Sequence, residues 1–337
     1  METVLVTRTD NDGDVLLAGP AIRAVAATAG ELVLLVSPSG EQAARMLPGV
    51  RDVLVWPCPW SGFEPPPVDA RSTAALVDEV RGLGFARALV LTSFHQSALP
   101  MALLLRLAGV PYIAAASEDY PGSLLDLRHR TTGRHEVERA LSLAAACGYQ
   151  LPDGDDGRLR IRDALPPFPL PEAPFVVVHP GASVAARAPE PAHARAIVAA
   201  LRTAGWAVVV TGSPDERDLT AAVAAGDAID LGGGTSYREL AAVLMAADCV
   251  VVGNTGPAHL AAAAGTPVVS LFAPVVPLER WAPWGVPSVL LGDQHAACRD
   301  TRARECPVEG HPCLTGITPD EVVNAVTKLT QEEVARP

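Results

Sequence analysis

The run Val250-Val251-Val252-Gly253-Asn254-Thr255-Gly256-Pro257-Ala258-His259-Leu260 brings an amide, a hydroxyl, two glycines and an imidazole together directly after an apolar stretch. It reads as strand, tight turn and helix. Thr255 falls at the cap, Gly256 admits close backbone approach and Pro257 suits the first helical turn, so amide N–H groups would face whatever lies above the turn. A diphosphate suits such a place. An ordinary strand-to-helix turn explains the Gly-Pro pair by itself. His259, one turn into the helix and able to donate to a phosphate oxygen, is what favours an anion site.

A second loop, Thr7-Arg8-Thr9-Asp10-Asn11-Asp12-Gly13-Asp14, sets three carboxylates and a glycine after the first apolar run. Asp14 would begin a helix, where the positive end of the dipole keeps a carboxylate ionised and able to act as general base towards a hydroxyl. The same residue, taken alone, also reads as a simple helix cap. Glu118, Asp119 and Tyr120 follow another strand-like run and could meet an acceptor.

Other constellations carry less. Asp10-x-Asp12 and Asp153-x-Asp155 match a loose metal-binding spacing, but the first lies in a glycine turn and the second among prolines and glycines. Cys298, Cys306 and Cys313, with His295 and His311, lack the Cys-x-x-Cys knuckle of zinc sites and read as reduced thiols or an occasional disulfide. Cys58, Cys147 and Cys249 read as packed thiols. Gly232-Gly233-Gly234 lacks the Gly-x-Gly-x-x-Gly spacing of dinucleotide sites, which argues against a nicotinamide enzyme. Trp281 and Trp284 suit core packing as well as the border of a site.

The elements that must position these residues are legible from periodicity. Thr3–Thr7, Glu31–Ser37, Asp52–Trp56, Arg87–Thr92 and Tyr112–Ala115 are short and uniformly apolar, as buried parallel strands are. Helical segments alternate with them at Val15–Ala29, Gly40–Met46, Arg71–Arg81, Ser97–Leu107 and His135–Ala146. A proline- and glycine-rich stretch, Leu151–Pro174, reads as a linker. The alternation then restarts at Phe175–His179 and continues to a last helix capped by Thr318-Pro319-Asp320-Glu321 and ending near Lys328. Right-handed crossovers turn such a series into doubly wound sheets. The expectation is an α/β chain of two Rossmann-like domains, residues 1–165 and 166–337, facing an interdomain cleft, with a last helix able to pack back on the first domain. Ligands of such sheets settle beyond the carboxyl ends of the strands.

With 337 residues the chain exceeds the usual reach of one core. Its formal charge of −12 is spread over both halves, with 15 basic and 20 acidic residues in 1–165 against 11 and 18 in the remainder. That argues against a nucleic-acid partner, which needs a basic stripe. The best local cationic group, Arg128, His129, Arg130, Arg134 and His135, reads as a solvated helix face that could also receive an acidic acceptor. The amino-terminal segment has no signal-peptide pattern and no clean span of about 20 apolar residues occurs, so the expectation is a cytoplasmic monomer with at most peripheral contact at the inner face of the membrane.

Taken in order, Gly13-Asp14-Val15-Leu16, His179-Pro180-Gly181-Ala182-Ser183, Thr211-Gly212-Ser213-Pro214-Asp215-Glu216, Gly253-Asn254-Thr255-Gly256-Pro257-Ala258-His259 and His311-Pro312-Cys313-Leu314 resemble glycosyltransferase family 9, which contains the ADP-heptose:lipopolysaccharide heptosyltransferases. The resemblance extends over nearly the whole chain. It implies a GT-B fold and inverting transfer without a metal or other cofactor, from a nucleotide diphosphate sugar such as ADP-heptose to a hydroxyl of a glycan, glycolipid or small-molecule acceptor. Carried over position by position, Asp14 is the catalytic base, with Asp12, Gly13, Glu118 and Asp119 towards the acceptor. Thr255, Gly256, Pro257 and His259 hold the diphosphate, Glu216 the ribose or base, and Gly181 and Ser183 the phosphate or sugar side. Two positions depart from the pattern. Arg187 in Ala186-Arg187-Ala188-Pro189 stands near where the family has a basic residue before Trp-Pro, and Asn254 stands where it frequently has Asp, so that an amide replaces a charge. An epimerase or hydrolase of nucleotide sugars and a non-catalytic sugar-nucleotide binder remain the alternative readings.

Overall fold

The computed structural model describes residues 2–62, 64–162, 164–171 and 174–334, which form two compact units, Met1–Arg162 and Asp163–Pro337. The first unit runs β1 (Thr3–Arg8), α1 (Asp12–Leu17), α2 (Gly19–Thr28), β2 (Glu31–Val36), α3 (Glu41–Met46), β3 (Asp52–Val55), α4 (Ala70–Leu83), β4 (Arg87–Val90), α5 (Leu99–Leu107), β5 (Tyr112–Ala116), β6 (Leu127–His129) and α6 (Glu136–Ala146). Its strands are parallel throughout, in the order β3-β2-β1-β4-β5-β6.

The second unit runs β7 (Phe175–His179), α7 (Pro191–Thr203), β8 (Ala207–Val210), α8 (Arg217–Ala224), β9 (Ile229–Asp230), α9 (Tyr237–Ala246), β10 (Cys249–Gly253), α10 (Gly256–Ala264), β11 (Val268–Leu271), α11 (Leu278–Trp281), β12 (Ser288–Leu291), α12 (Pro312–Thr315) and α13 (Pro319–Val334). The order β12-β11-β10-β7-β8-β9 is again wholly parallel. Renumbered from β7, it is the same doubly wound order as the first sheet. In each unit the order reverses beside the first strand, between β1 and β4 and between β7 and β10, and crevices for ligands open at such points.

Burial explains the uniform apolarity of the strands. Val4, Leu5 and Val6 of β1, and Val250, Val251 and Val252 of β10, are at most 1% exposed because helices cover both faces. Each such side chain contributes on the order of 1.5–3 kcal/mol of transfer free energy. Arg162 ties the end of the first unit back onto it, its amide donating to Met46 O at 2.9 Å and its Nε to Leu47 O at 3.1 Å. Leu159 and Ile161 are buried as well, so the stretch read as linker belongs to the first unit as far as Arg162.

Three elements differ from the sequence reading. The first helix is two, α1 and α2, since Pro20 in the first turn of α2 has no N–H with which to continue the ladder. Arg128 and His129 lie on β6, a three-residue strand pairing with Ala114–Ala116, not on a helix face. As an edge strand it can carry charge and shows no apolar run. The last helix runs past the expected end near Lys328 to Val334, and within its own unit it packs against α7, β10, β11 and β12. The expected cap is present, with Thr318 N–H donating to Glu321 Oε2 at 2.7 Å and Glu321 N–H to Thr318 Oγ1 at 3.2 Å. Among the described residues no helix is long and apolar enough to cross a membrane.

Candidate functional site

At the carboxyl end of β1 the chain turns directly into α1, with Asn11 at the cap and Asp12, Gly13 and Asp14 as the first helical residues. Asp14 therefore begins the helix without capping it. Its Oδ1 accepts from Arg8 Nη2 at 2.9 Å, and its side chain is 20% exposed. Arg8 closes β1 and is buried; its Nε pairs with Asp10 Oδ2 at 2.9 Å and its Nη2 also donates to Ser93 Oγ at 2.9 Å. Asp10 receives Gln96 Nε2 at 2.5 Å as well. Ser93 and Gln96 belong to the loop after β4, the neighbour of β1, so this cluster straddles the sheet's switch point. Burial pushes the Asp10 carboxyl above the usual range, while the Arg8 charge opposes that shift. Asp12 is half-buried, and burial raises its pKa to about 7 against the opposing Ala43 amide. Glu118 and Asp119, after β5, are exposed, and the Arg128 guanidinium holds this loop by donating to the carbonyls of Ser117 and Glu118.

In the second unit Thr255 is the cap residue of α10, with Gly256 and Pro257 in the first turn and His259 buried at 6% exposure. Thr255 thus stands at the cap position as the sequence reading has it, but its side chain makes no cap hydrogen bond. Asn254 is turned into the fold: its Nδ2 donates to Ala273 O at 3.2 Å and its Oδ1 accepts from Ala273 N–H at 3.1 Å. Buried at 6% exposure, the amide fastens the segment after β11 to the β10 turn.

Arg187 comes to the same turn by way of its backbone. A Cβ on Gly253 would lie 2.5 Å from Arg187 O, so glycine is what lets the Ala185–Arg187 turn approach the end of β10. His311 steadies that turn through Nε2 donating to Ala186 O at 3.2 Å. The His-Pro-Cys-Leu run, which has no assigned role in the sequence reading, thus supports the Arg187 segment.

Gly181 follows β7, the strand beside β10, and a Cβ there would lie 1.9 Å from Glu216 Oε1. The Glu216 carboxylate therefore lies over Gly181, and its Oε2 accepts from Ser213 N–H at 2.7 Å. Beneath it His179 is buried, with Nδ1 3.0 Å from Thr211 Oγ1 and Nε2 3.9 Å from Glu216 Oε2. Burial lowers the His179 pKa and the Glu216 charge opposes that shift. Ser183 is exposed. Glu216 over Gly181 after β7, and the Arg187 backbone against Gly253 at the end of β10, thus lie on the two neighbouring strands of the second switch point. Sequence reasoning missed Arg8, Gln96 and His179 as members of the two clusters: Gln96 and His179 find their partners in distant segments, and Arg8 is joined to Asp10 and Asp14 nearby but also to Ser93 and Glu136 far along the chain. A separate cavity of about 190 Å³ beyond β11 and β12 is lined in part by Pro274, Leu278, Gln294, His295 and Arg299.

The remaining sequence candidates resolve into structure. Asp155 pairs with Arg23 Nε at 2.6 Å, and Asp10 with Arg8, so each loose Asp-x-Asp pattern has an acid engaged by arginine. All six cysteines are free thiols, and only Cys306 is not buried. Burial, aided by the neighbouring Cys298 thiol, pushes the Cys313 thiol up to about 12. Among the described residues no group of three or more metal-ligating side chains gathers. The Gly232–Gly234 turn is stitched to the loop after β8 by Gly233 N–H donating to Gly212 O at 2.9 Å.

The profile of glycosyltransferase family 9 (heptosyltransferase) matches residues 73–311. The chain belongs to glycosyltransferase family 9. That range holds the second-unit cluster complete and begins after Asp14. Among solved structures, Escherichia coli ADP-heptose lipopolysaccharide heptosyltransferase II aligns with a TM-score of 0.72 at 19% identity, over 99% of this chain and 100% of that one. The glycosyltransferase family 9 protein of Veillonella parvula gives 0.77 at 15% identity, over 98% of both chains. E. coli heptosyltransferase WaaC bound to ADP-2-deoxy-2-fluoro heptose gives 0.71 at 21% identity, over 99% and 100%. No curated protein sequence matches the chain. The fold is that of GT-B heptosyltransferases, and the family membership makes this chain a glycosyltransferase.

Proposed function

We propose that this glycosyltransferase moves a sugar, heptose first among candidates, from a nucleotide diphosphate donor such as ADP-heptose to a hydroxyl of a glycan, glycolipid or secondary metabolite, with inversion and without a metal. The observation that carries the reading is the pair of clusters at the two switch points. One presents a carboxylate at the start of a helix; the other sets Glu216 over Gly181 after β7 and the Arg187 backbone against Gly253, just ahead of Thr255, Gly256 and His259 at the opening of α10 on the neighbouring strand's loop.

In this reading the donor binds to the second unit. Its diphosphate lies at the amino end of α10, where backbone N–H dipoles and His259 stabilise the charge that grows as the leaving group departs. Glu216 accepts hydrogen bonds from the ribose. Asp14 removes the acceptor's proton while the acceptor oxygen bonds to the anomeric carbon and the bond to the diphosphate breaks, its electron pair leaving with the nucleotide. Asn254 acts by holding the loop beside the donor.

A thermal-shift screen of ADP, GDP, UDP and their sugars identifies the donor, and nucleotide release that depends on an added alcohol identifies transfer. Asp14→Asn should keep ADP affinity while turnover falls by about two orders of magnitude or more. Unchanged turnover would remove Asp14 from the chemistry. His259→Ala should weaken ADP binding by calorimetry, and undiminished affinity would move the diphosphate elsewhere. Release that ignores every alcohol offered would favour a hydrolase.

A further inference from the structure

One guanidinium serves three carboxylates in the first unit. Arg8 lies 2.9 Å from Asp10, 2.9 Å from Asp14 and 3.7 Å from Glu136, the last on α6. The four side chains differ sharply in exposure, with Arg8 at 4%, Asp10 at 7%, Glu136 at 2% and Asp14 at 20%. Asp14 is thus the one carboxylate of the three with substantial access to solvent. The others brace the cation from within. Asp10 is itself held by Gln96 and, more loosely, by Ser61 at 3.4 Å, while Glu136 lies 3.5 Å from a second guanidinium, Arg139.

Burying a charged group of this size is costly and often no better for stability than apolar packing. Its geometry gives it another use. An arginine fork can bond to two acids at fixed angles, which the single ammonium of lysine cannot do. Here Nε forms an ion pair with Asp10, and Nη2 hydrogen-bonds both Asp14 and Ser93, so the position of the Asp14 carboxylate follows from groups on β1, the β4 loop and α6.

We propose that Arg8 is the positioning residue of the reaction: it fixes the Asp14 carboxylate for proton abstraction, with Asp10 and Glu136 holding Arg8 in register. This rests on Asp14 being the base. When the acceptor proton moves to Asp14, the Arg8 cation stays in place and the braced pair limits the carboxylate's reorientation. Asp10 and Glu136 are too deeply buried to meet an acceptor themselves.

The test uses the full chain with ADP-heptose as donor and follows ADP release to an added alcohol or to water. Asp14→Asn, Arg8→Lys, Arg8→Ala and Glu136→Gln are compared, with thermal unfolding recorded for each. Arg8→Lys should lower kcat by about tenfold or more while the KM for ADP-heptose and the affinity for ADP stay within about twofold, since misplaced catalytic groups cost rate. Arg8→Ala should lose more, and added guanidinium ion should restore part of it. If Arg8→Ala fails to fold, Arg8→Lys carries the comparison. A fully active Asp14→Asn would overturn the base assignment and the role of Arg8 together. An inactive Asp14→Asn beside an Arg8→Lys variant of wild-type kcat would overturn the role of Arg8 alone. Glu136→Gln, which loosens the brace and leaves the Arg8–Asp14 contact in place, should lower kcat less than Arg8→Lys does, and an unchanged kcat would remove Glu136 from the brace.

Discussion

Asp12 and Asp14 are two residues apart and sit in different electrostatic settings. Asp14 faces a cation, whereas Asp12 is desolvated and its pKa stands near 7. A carboxyl whose pKa is raised on folding favours the native state while it is protonated; that contribution is full below the unfolded value near 4 and is lost as pH rises through about 7. Asp12→Asn should therefore gain in thermal stability over the wild type as pH is raised from 5 to 8, and the two should converge at the acid end. A gap that does not depend on pH would show that Asp12 ionises freely in the folded chain. The motif was legible in sequence; this difference was not, because it depends on how far folding withdraws Asp12 from water, with the Ala43 amide of α3 opposing the shift. Arg8 was passed over for the same reason, since its partners at positions 93 and 136 are remote in the chain.

Among the elements, strands and helices followed from periodicity because each parallel strand is covered on both faces and leaves an apolar word in the text. The exceptions have local causes: Pro20 divides a helix, and β6 is an edge too short to show a pattern. Contacts between turns were less accessible. Asn254 looked available to a ligand, but both ends of its amide are used by Ala273. Gly253 was read as part of a turn, whereas the carbonyl of Arg187 is what demands a residue without a side chain there. Gly253→Ala should push the Ala185–Arg187 turn away, destabilise the protein by about 1–3 kcal/mol through overpacking and weaken ADP binding. Chemical denaturation and calorimetry together check this; a variant equal to wild type in both would show that the turn yields at no cost.

For the molecule as a whole, the duplicated strand order means that each unit carries its own core and its own switch point. Within the first unit, Arg23 on α2 grips Asp155 through Nε at 2.6 Å and Nη2 at 2.8 Å, with side chains 9% and 6% exposed. The Arg23 hydrogen bonds hold the Asp155 pKa down at about 2. A depressed carboxylate stabilises the fold above the unfolded value near 4, and the contribution fades as pH falls towards 2; it is worth on the order of 2 kcal/mol at neutral pH. Arg23→Met should cost about 3–5 kcal/mol at pH 7, since it strands a buried charge, and adding Asp155→Leu should recover part of that. Urea unfolding monitored on the first unit reads both, and a double variant no better than the single would deny the pair its role.

The Arg23–Asp155 clasp and the Arg162 anchor also determine where the polypeptide is released from the first unit. Because residues up to 162 are stapled down, the leash to the next unit starts there and not at Leu151. Extra glycines and serines spliced in ahead of the anchor would have to prise open a clasp.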